Sequence, residues 1–192
     1  VDGIGKIAFA SSIIIWIQTF ADWGFNFTAT RDVARNRDDI AKVSQIFSNV
    51  LWARCILTIL GFLILLLLIF LVPSFRENSK VILLTFLMIP GHICYPDWFF
   101  QAIEKMKYTT ILNLMSKLFF TVAVFIFVKE SNDYILQPLF TSLGFILSGV
   151  FAIFIIRKWG VRLCRPSFSE IFATIKGSAD VFLNNLMPNL YN

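Results

Sequence analysis

Charge is scarce in this chain: 15% of its 192 residues are Asp, Glu, Lys or Arg, against about a quarter in soluble domains. With 57% apolar residues and a mean hydropathy of +0.74, no soluble core could absorb the apolar surface. Histidine occurs once, at His92, so no second histidine completes a metal site. The three cysteines, Cys55, Cys94 and Cys164, lack the spacing of a disulfide framework or zinc site. There is no glycine-rich phosphate loop after a strand, no zinc motif and no serine set in a nucleophile elbow. The short alternating segments of a membrane β-barrel are missing as well.

What is present is five apolar stretches separated by short charged loops. We read them as spans over residues 7–27, 52–72, 81–102, 108–128 and 135–156, since a helix needs about 20 apolar residues to cross the hydrocarbon core. A sixth begins near Val181. The expected architecture is an all-α polytopic membrane protein with five complete transmembrane helices and the start of another. The opening on Val1 and the barely begun last segment lead us to expect a piece of a longer protein.

The net charge of +5 follows membrane sidedness rather than a nucleic-acid footprint. Alternate loops hold Arg31, Arg35, Arg37 and Lys42, then Lys105 and Lys107, then Arg157, Lys158, Arg162 and Arg165, ten basic residues in all. The opposite side holds only Lys6, Arg76, Lys80 and Lys129. The positive-inside rule makes the ten-residue side cytoplasmic, so the first span runs inward. Residues 31–45 are too polar to cross. Their Ile40, Val43, Phe47 and Val50 recur at helical spacing and predict an amphipathic lead-in to the second span, with Asp38 and Asp39 suited to its N-terminus. The alternative is a solvated basic loop beside anionic headgroups. Pro73 closes the second span. Pro90 and Pro96 interrupt the third, by removing backbone donors.

Ionisable groups inside a span are costly and mark paths or interior faces. Four qualify: Asp22, Arg54, Asp97 and Lys117. At 1.5 Å per residue from the cytoplasmic ends, Asp22 and Asp97 lie roughly 8 Å deep, Arg54 roughly 3 Å and Lys117 roughly 14 Å. Together they predict a polar cavity open to the cytoplasm, in which ion pairs reduce the desolvation cost. The competing account has Arg54 snorkelling to the interface and Asp22 capping or contacting water. Asp97, Gln101 and Glu104 fall at i, i+4 and i+7, on one helix face. Trp98, Phe99 and Phe100 either line a sugar path or anchor the helix at the boundary. No cofactor motif is present, and coupling to an ion or proton, with His92 as one candidate, is left open.

The stretch from Gly24 to Asp38, GFNFTATRDVARNRD, resembles the motif that follows the second span of O-antigen flippases of the Wzx type. The stretch from Pro96 to Tyr108, PDWFFQAIEKMKY, resembles that family's motif at the cytoplasmic end of the fourth span. Gly3 to Ala10 resembles its entry to the second span, and Phe182-Leu183-Asn184-Asn185 with Asn189-Leu190-Tyr191 resembles the opening of the seventh. The resemblance implies a two-lobed exporter of 12 to 14 helices in the multidrug/oligosaccharidyl-lipid/polysaccharide superfamily. Residues 1–166 would be spans two to six of the N-terminal lobe. Residues 167–192 would be an amphipathic lead-in and the truncated first helix of the second lobe.

It further implies a multi-pass protein of the bacterial inner membrane that moves undecaprenyl-pyrophosphate-linked oligosaccharide between leaflets, with polysaccharide polymerase machinery as a partner. The pyrophosphate would lie near Arg31, Arg54 and Lys117, because guanidinium suits phosphate. Arg31 and Asp32 form either that contact or a gate pair, and Asn184, Asn185 and Asn189 would meet sugar hydroxyls. Asp97 stands where many relatives have an apolar residue, and Ala102 where glycine is usual, so sugar specificity does not carry over. The alternatives are a membrane-embedded glycan polymerase or ligase, a small-molecule exporter of the same superfamily, and a structural membrane subunit.

Overall fold

The computed structural model describes residues 2–129, 136–165 and 167–191, the side chains of 2–4 and 185–191 aside. Among these residues every regular element is helical: α1 (Asp2–Asp22), α2 (Phe25–Arg35), α3 (Ile40–Leu71), α4 (Pro73–Glu77), α5 (Ser79–Phe86), α6 (Met88–Cys94), α7 (Asp97–Ala102), α8 (Met106–Phe127), α9 (Leu136–Lys158) and α10 (Phe168–Tyr191). Five segments are long and apolar enough to cross a bilayer: Gly5–Arg35, Ile40–Leu71, Ser79–Ala102, Met106–Phe127 and Leu136–Lys158.

The first segment is not one uninterrupted span ending at Phe27. It breaks at Trp23 and Gly24, both at positive φ, and resumes as α2 through Arg35. Gly24 sits at φ +73°, and a Cβ there would lie 3.0 Å from Val181 Cγ1 and 3.1 Å from Phe182 N. Only glycine meets both demands. α2 stays helical despite its charges because Phe25, Ala29 and Val33 bury one face, leaving the polar face for cavities and solvent.

The lead-in and the second span form one continuous helix, α3, capped by Asp39, whose side chain accepts from Lys42 N at 3.0 Å. Val43, Phe47 and Val50 are buried in the main core. α3 stops at Leu71, and Pro73 opens α4 at its first turn, where a missing N–H costs nothing. The third segment is cut into α5, α6 and α7, with a break at Tyr95 and Pro96. α10 starts at Phe168 and runs on through Val181, so the lead-in and the expected span start are one helix.

α9 packs closely on α6 and α8 through small residues, as membrane helices do where no water drives association. A Cβ on Gly149 would meet the backbone of Cys94 at 2.7 Å, and one on Gly144 would meet Ser116 O at 2.9 Å. The three basic loops converge at one end of the bundle. Arg37 pairs with Glu104 at 2.8 Å, and Lys105 Nζ lies 4.2 Å from the Trp159 ring centre. Residues 161–165 form a strap over the start of α3, stitched by Arg162 N donating to Ser44 Oγ at 3.1 Å and Cys164 N donating to Ser48 Oγ at 2.8 Å.

Candidate functional site

Asp22 and Arg54 meet at the α1–α2 break. Arg54 lies four turns into α3, about 21 Å from its start at 1.5 Å per residue, not near its end. It is 1% exposed, so it does not snorkel. Its Nη2 lies 3.1 Å from Asp22 Oδ1 and donates to Asn26 Oδ1 at 2.5 Å, while Nε and Nη1 are buried without a hydrogen-bond partner. One guanidinium thus joins the end of α1 to the start of α2. Lead-in and span are one helix from Ile40, so Arg54 sits in its interior rather than in its first turn.

Two cavities flank α2. The first, about 260 Å³, lies between α2, α3 and α10 and is lined by Thr28, Arg31, Asp32, Asn49 and Ser178 among others. The second, about 420 Å³, lies between α2 and α7 and is lined by Asn26, Thr30, Arg31, Asp97, Trp98 and Gln101, with Phe27 at its side. Arg31 borders both. Its Nε donates to Asp32 Oδ1 at 2.9 Å, which leaves both terminal nitrogens for other acceptors.

α10 closes the first cavity. Thr28 and Ser178 hydroxyls are hydrogen-bonded at 2.7 Å, Trp23 Nε1 donates to Ile175 O at 2.9 Å, and the Trp23 and Phe182 rings stack 4.2 Å apart. At its outer rim Glu170 accepts from Gln45 at 2.7 Å and Asn49 at 3.0 Å. These two amides hold the Glu170 carboxyl below the ordinary glutamate value.

The single polar cavity expected from four charges is therefore corrected. Asp22 and Arg54 form a pair, Asp97 lines the α2–α7 cavity, and Lys117 is exposed on α8, outside the three ion pairs among the described residues. Asp97 and Gln101 do share a cavity. Glu104 leaves their face because α7 ends at Ala102 and Glu104 turns to φ +58°. It pairs with Arg37 instead, whose guanidinium lowers the Glu104 pKa. Trp98, Phe99 and Phe100 are all buried core residues, and Trp98 also lines the α2–α7 cavity. His92 stacks obliquely on Phe145, and its Nδ1 is buried without a partner. Asn184 is exposed near the C-terminal end of α10, and the side chains of Asn185 and Asn189 lie outside the described residues. Composition and motif did not single out Asn26 as a partner of Arg54, although its place one turn after Asp22 was the available signal.

Five segments long and apolar enough to cross a bilayer define a multi-pass α-helical membrane protein. The chain belongs to the family described as Polysaccharide biosynthesis protein, which matches it over residues 2–192. It is 26% identical over 192 residues to a protein of Escherichia coli (strain K12) named "Putative O-antigen transporter", covering 100% of this chain and 46% of that protein. A protein of Shigella dysenteriae with the same name is 25% identical over 200 residues, covering 100% of this chain and 48% of the relative. The chain thus spans about half the length of the curated relatives it matches. No solved structure matches it.

Proposed function

We propose that the full-length protein containing this chain is a flippase that moves undecaprenyl-pyrophosphate-linked oligosaccharide, an O-antigen or related repeat unit, across the bacterial inner membrane by alternating access. The observation that carries the reading is the placement of Arg31 between two cavities at the end of the bundle where the basic loops meet. There its free guanidinium nitrogens suit a pyrophosphate. Family membership and the relatives' names, both transporters, support transport over glycan polymerisation or ligation. Arg54, wholly buried, positions the helix break rather than meeting the phosphate itself.

Residues 1–166 act in this reading as part of one lobe. α10 is the first helix of the other, and its contacts with α2 and α3 change as the lobes rock. The test is complementation of cells lacking their own flippase, at matched membrane abundance. The parent restores surface polysaccharide and Arg31→Ala does not. No restoration in a host that makes a compatible lipid-linked sugar overturns the assignment.

A further inference from the structure

We infer that the cavity between α2 and α7 is a saccharide subsite that admits a neutral sugar next to the pyrophosphate and rejects an acidic one, with Asp97 as the discriminating residue. This rests on the flippase reading above.

The cavity's chemistry is fixed by its neighbours. Arginine has donors only, so the atom of Asn26 that faces Arg54 Nη2 must be its amide oxygen. That leaves Asn26 Nδ2 as a donor, and it makes no hydrogen bond among the described residues. The single Thr30 hydroxyl proton is taken up between two carbonyls, Asn26 O of its own helix and Trp98 O at 3.2 Å. Asp97 Oδ1 accepts from Trp98 N at 2.8 Å, which holds the carboxylate at the start of α7 with its second oxygen free. The Gln101 side chain is exposed and makes no hydrogen bond among the described residues. On one wall are therefore donors from Asn26 and Arg31; on the other are a carboxylate oxygen and an amide that both gives and accepts.

Such alternating donors and acceptors match vicinal hydroxyl groups, each of which donates once and accepts twice. At about 420 Å³ the space suits a sugar-sized group. Arg31 on the rim would face the phosphate, so the sugar attached directly to it would sit beside Asp97. Arg54 acts through Asn26 and is a positioning residue. A uronate carboxylate placed there would lie against the Asp97 carboxylate, a like-charge contact of the kind that excludes wrong partners. Neutral hydroxyls instead gain an acceptor.

The experiment uses the purified full-length protein in proteoliposomes. Two probes are compared: undecaprenyl-pyrophosphate carrying one N-acetylhexosamine, and the same lipid with that sugar's C6 oxidised to a carboxylate. Transfer is read by the loss of access to a membrane-impermeant periodate reagent. The parent is expected to move the neutral probe at least about tenfold faster than the acidic one. Asp97→Asn should bring the two rates within about twofold of each other by raising the acidic rate, and Asp97→Glu should keep the preference. A gain on one probe cannot come from misfolding. Equal parental rates, or a ratio unchanged in Asp97→Asn, overturn the subsite while leaving the flippase reading standing. A parent that moves neither probe overturns both.

Discussion

Arg54 Nη2 lies 3.1 Å from Asp22 Oδ1, with the arginine 1% exposed and the aspartate 23%. The two halves of the pair therefore differ in what their loss leaves behind. Removing Asp22 strands a guanidinium that cannot reach water. Removing Arg54 leaves a carboxylate that is far less buried.

Asp22→Ala is accordingly expected to destabilise the protein by about 3–5 kcal/mol, the cost of an uncompensated buried charge. Arg54→Met should cost less, because it fills the site with an unbranched apolar chain. Thermal unfolding of the full-length protein in detergent checks the order. A larger loss in Arg54→Met would show that the pair is not governed by the burial of the cation.

The glycines of α9 and α10 give a matched contrast. Gly149→Ala would place a Cβ 2.6 Å from Cys94 Cβ and 2.7 Å from two of its backbone atoms, so α6 and α9 must separate. Overpacking of this kind costs about 1–3 kcal/mol. Gly177→Ala meets nothing within 4 Å in a helical position, and should stabilise by about 0.4–1 kcal/mol through the unfolded chain. Unfolding midpoints of the two variants should move in opposite directions.

Composition and spacing made the crossings legible, along with the Asp39 cap and the stops at Pro73 and Pro96, because each depends on a few adjacent residues. The α1–α2 break did not show, since what excludes a side chain at Gly24 is Val181 and Phe182 from far along the chain. The burial of Arg54 did not show either, because the groups that meet it, Asp22 and Asn26, come from the two sides of that break. Glu104 was put on the face of Asp97 by a count that assumes unbroken helix, and α7 lasts only six residues. Three consecutive aromatics are buried because Trp98 and Phe99 pack on Phe47 of α3 and Phe100 on Tyr108 of α8, while Asp97 and Gln101 keep the cavity side.

The Arg37–Glu104 pair predicts a specific pH window. Arg37 holds the Glu104 pKa below its ordinary 4.5 by hydrogen bond and charge, so the folded state binds the proton less readily than the unfolded one. The stabilisation is present above the unfolded value and is lost as pH falls through the lower folded value. The Arg37 pKa is raised above the ordinary arginine value by Glu104, so its share is present below the unfolded value and lost only as pH climbs through the folded one. Glu104→Gln should thus differ from the parent by a constant amount between about pH 6 and 9 and converge with it below about pH 4. Both side chains are exposed, so added salt should shrink the difference. Melting curves across pH at two ionic strengths measure this. A difference that grows in acid would contradict it.

Lys117 lies midway along α8, exposed between the exposed Leu114 and Leu118. A lysine at the centre of a span costs about 2.5–3.5 kcal/mol on insertion scales. If it served only to face lipid, Lys117→Met should raise membrane abundance and leave export per molecule unchanged. In the flippase reading proposed above, a charge placed at that cost meets an anionic substrate group. We therefore expect Lys117→Met to keep or raise abundance while surface polysaccharide per molecule falls at least about tenfold, an effect of about 1.4 kcal/mol. Lys117→Arg should keep most of the export. Quantifying the protein in membranes beside its surface polysaccharide separates the two, and a fall in abundance with export per molecule intact would assign Lys117 to folding alone.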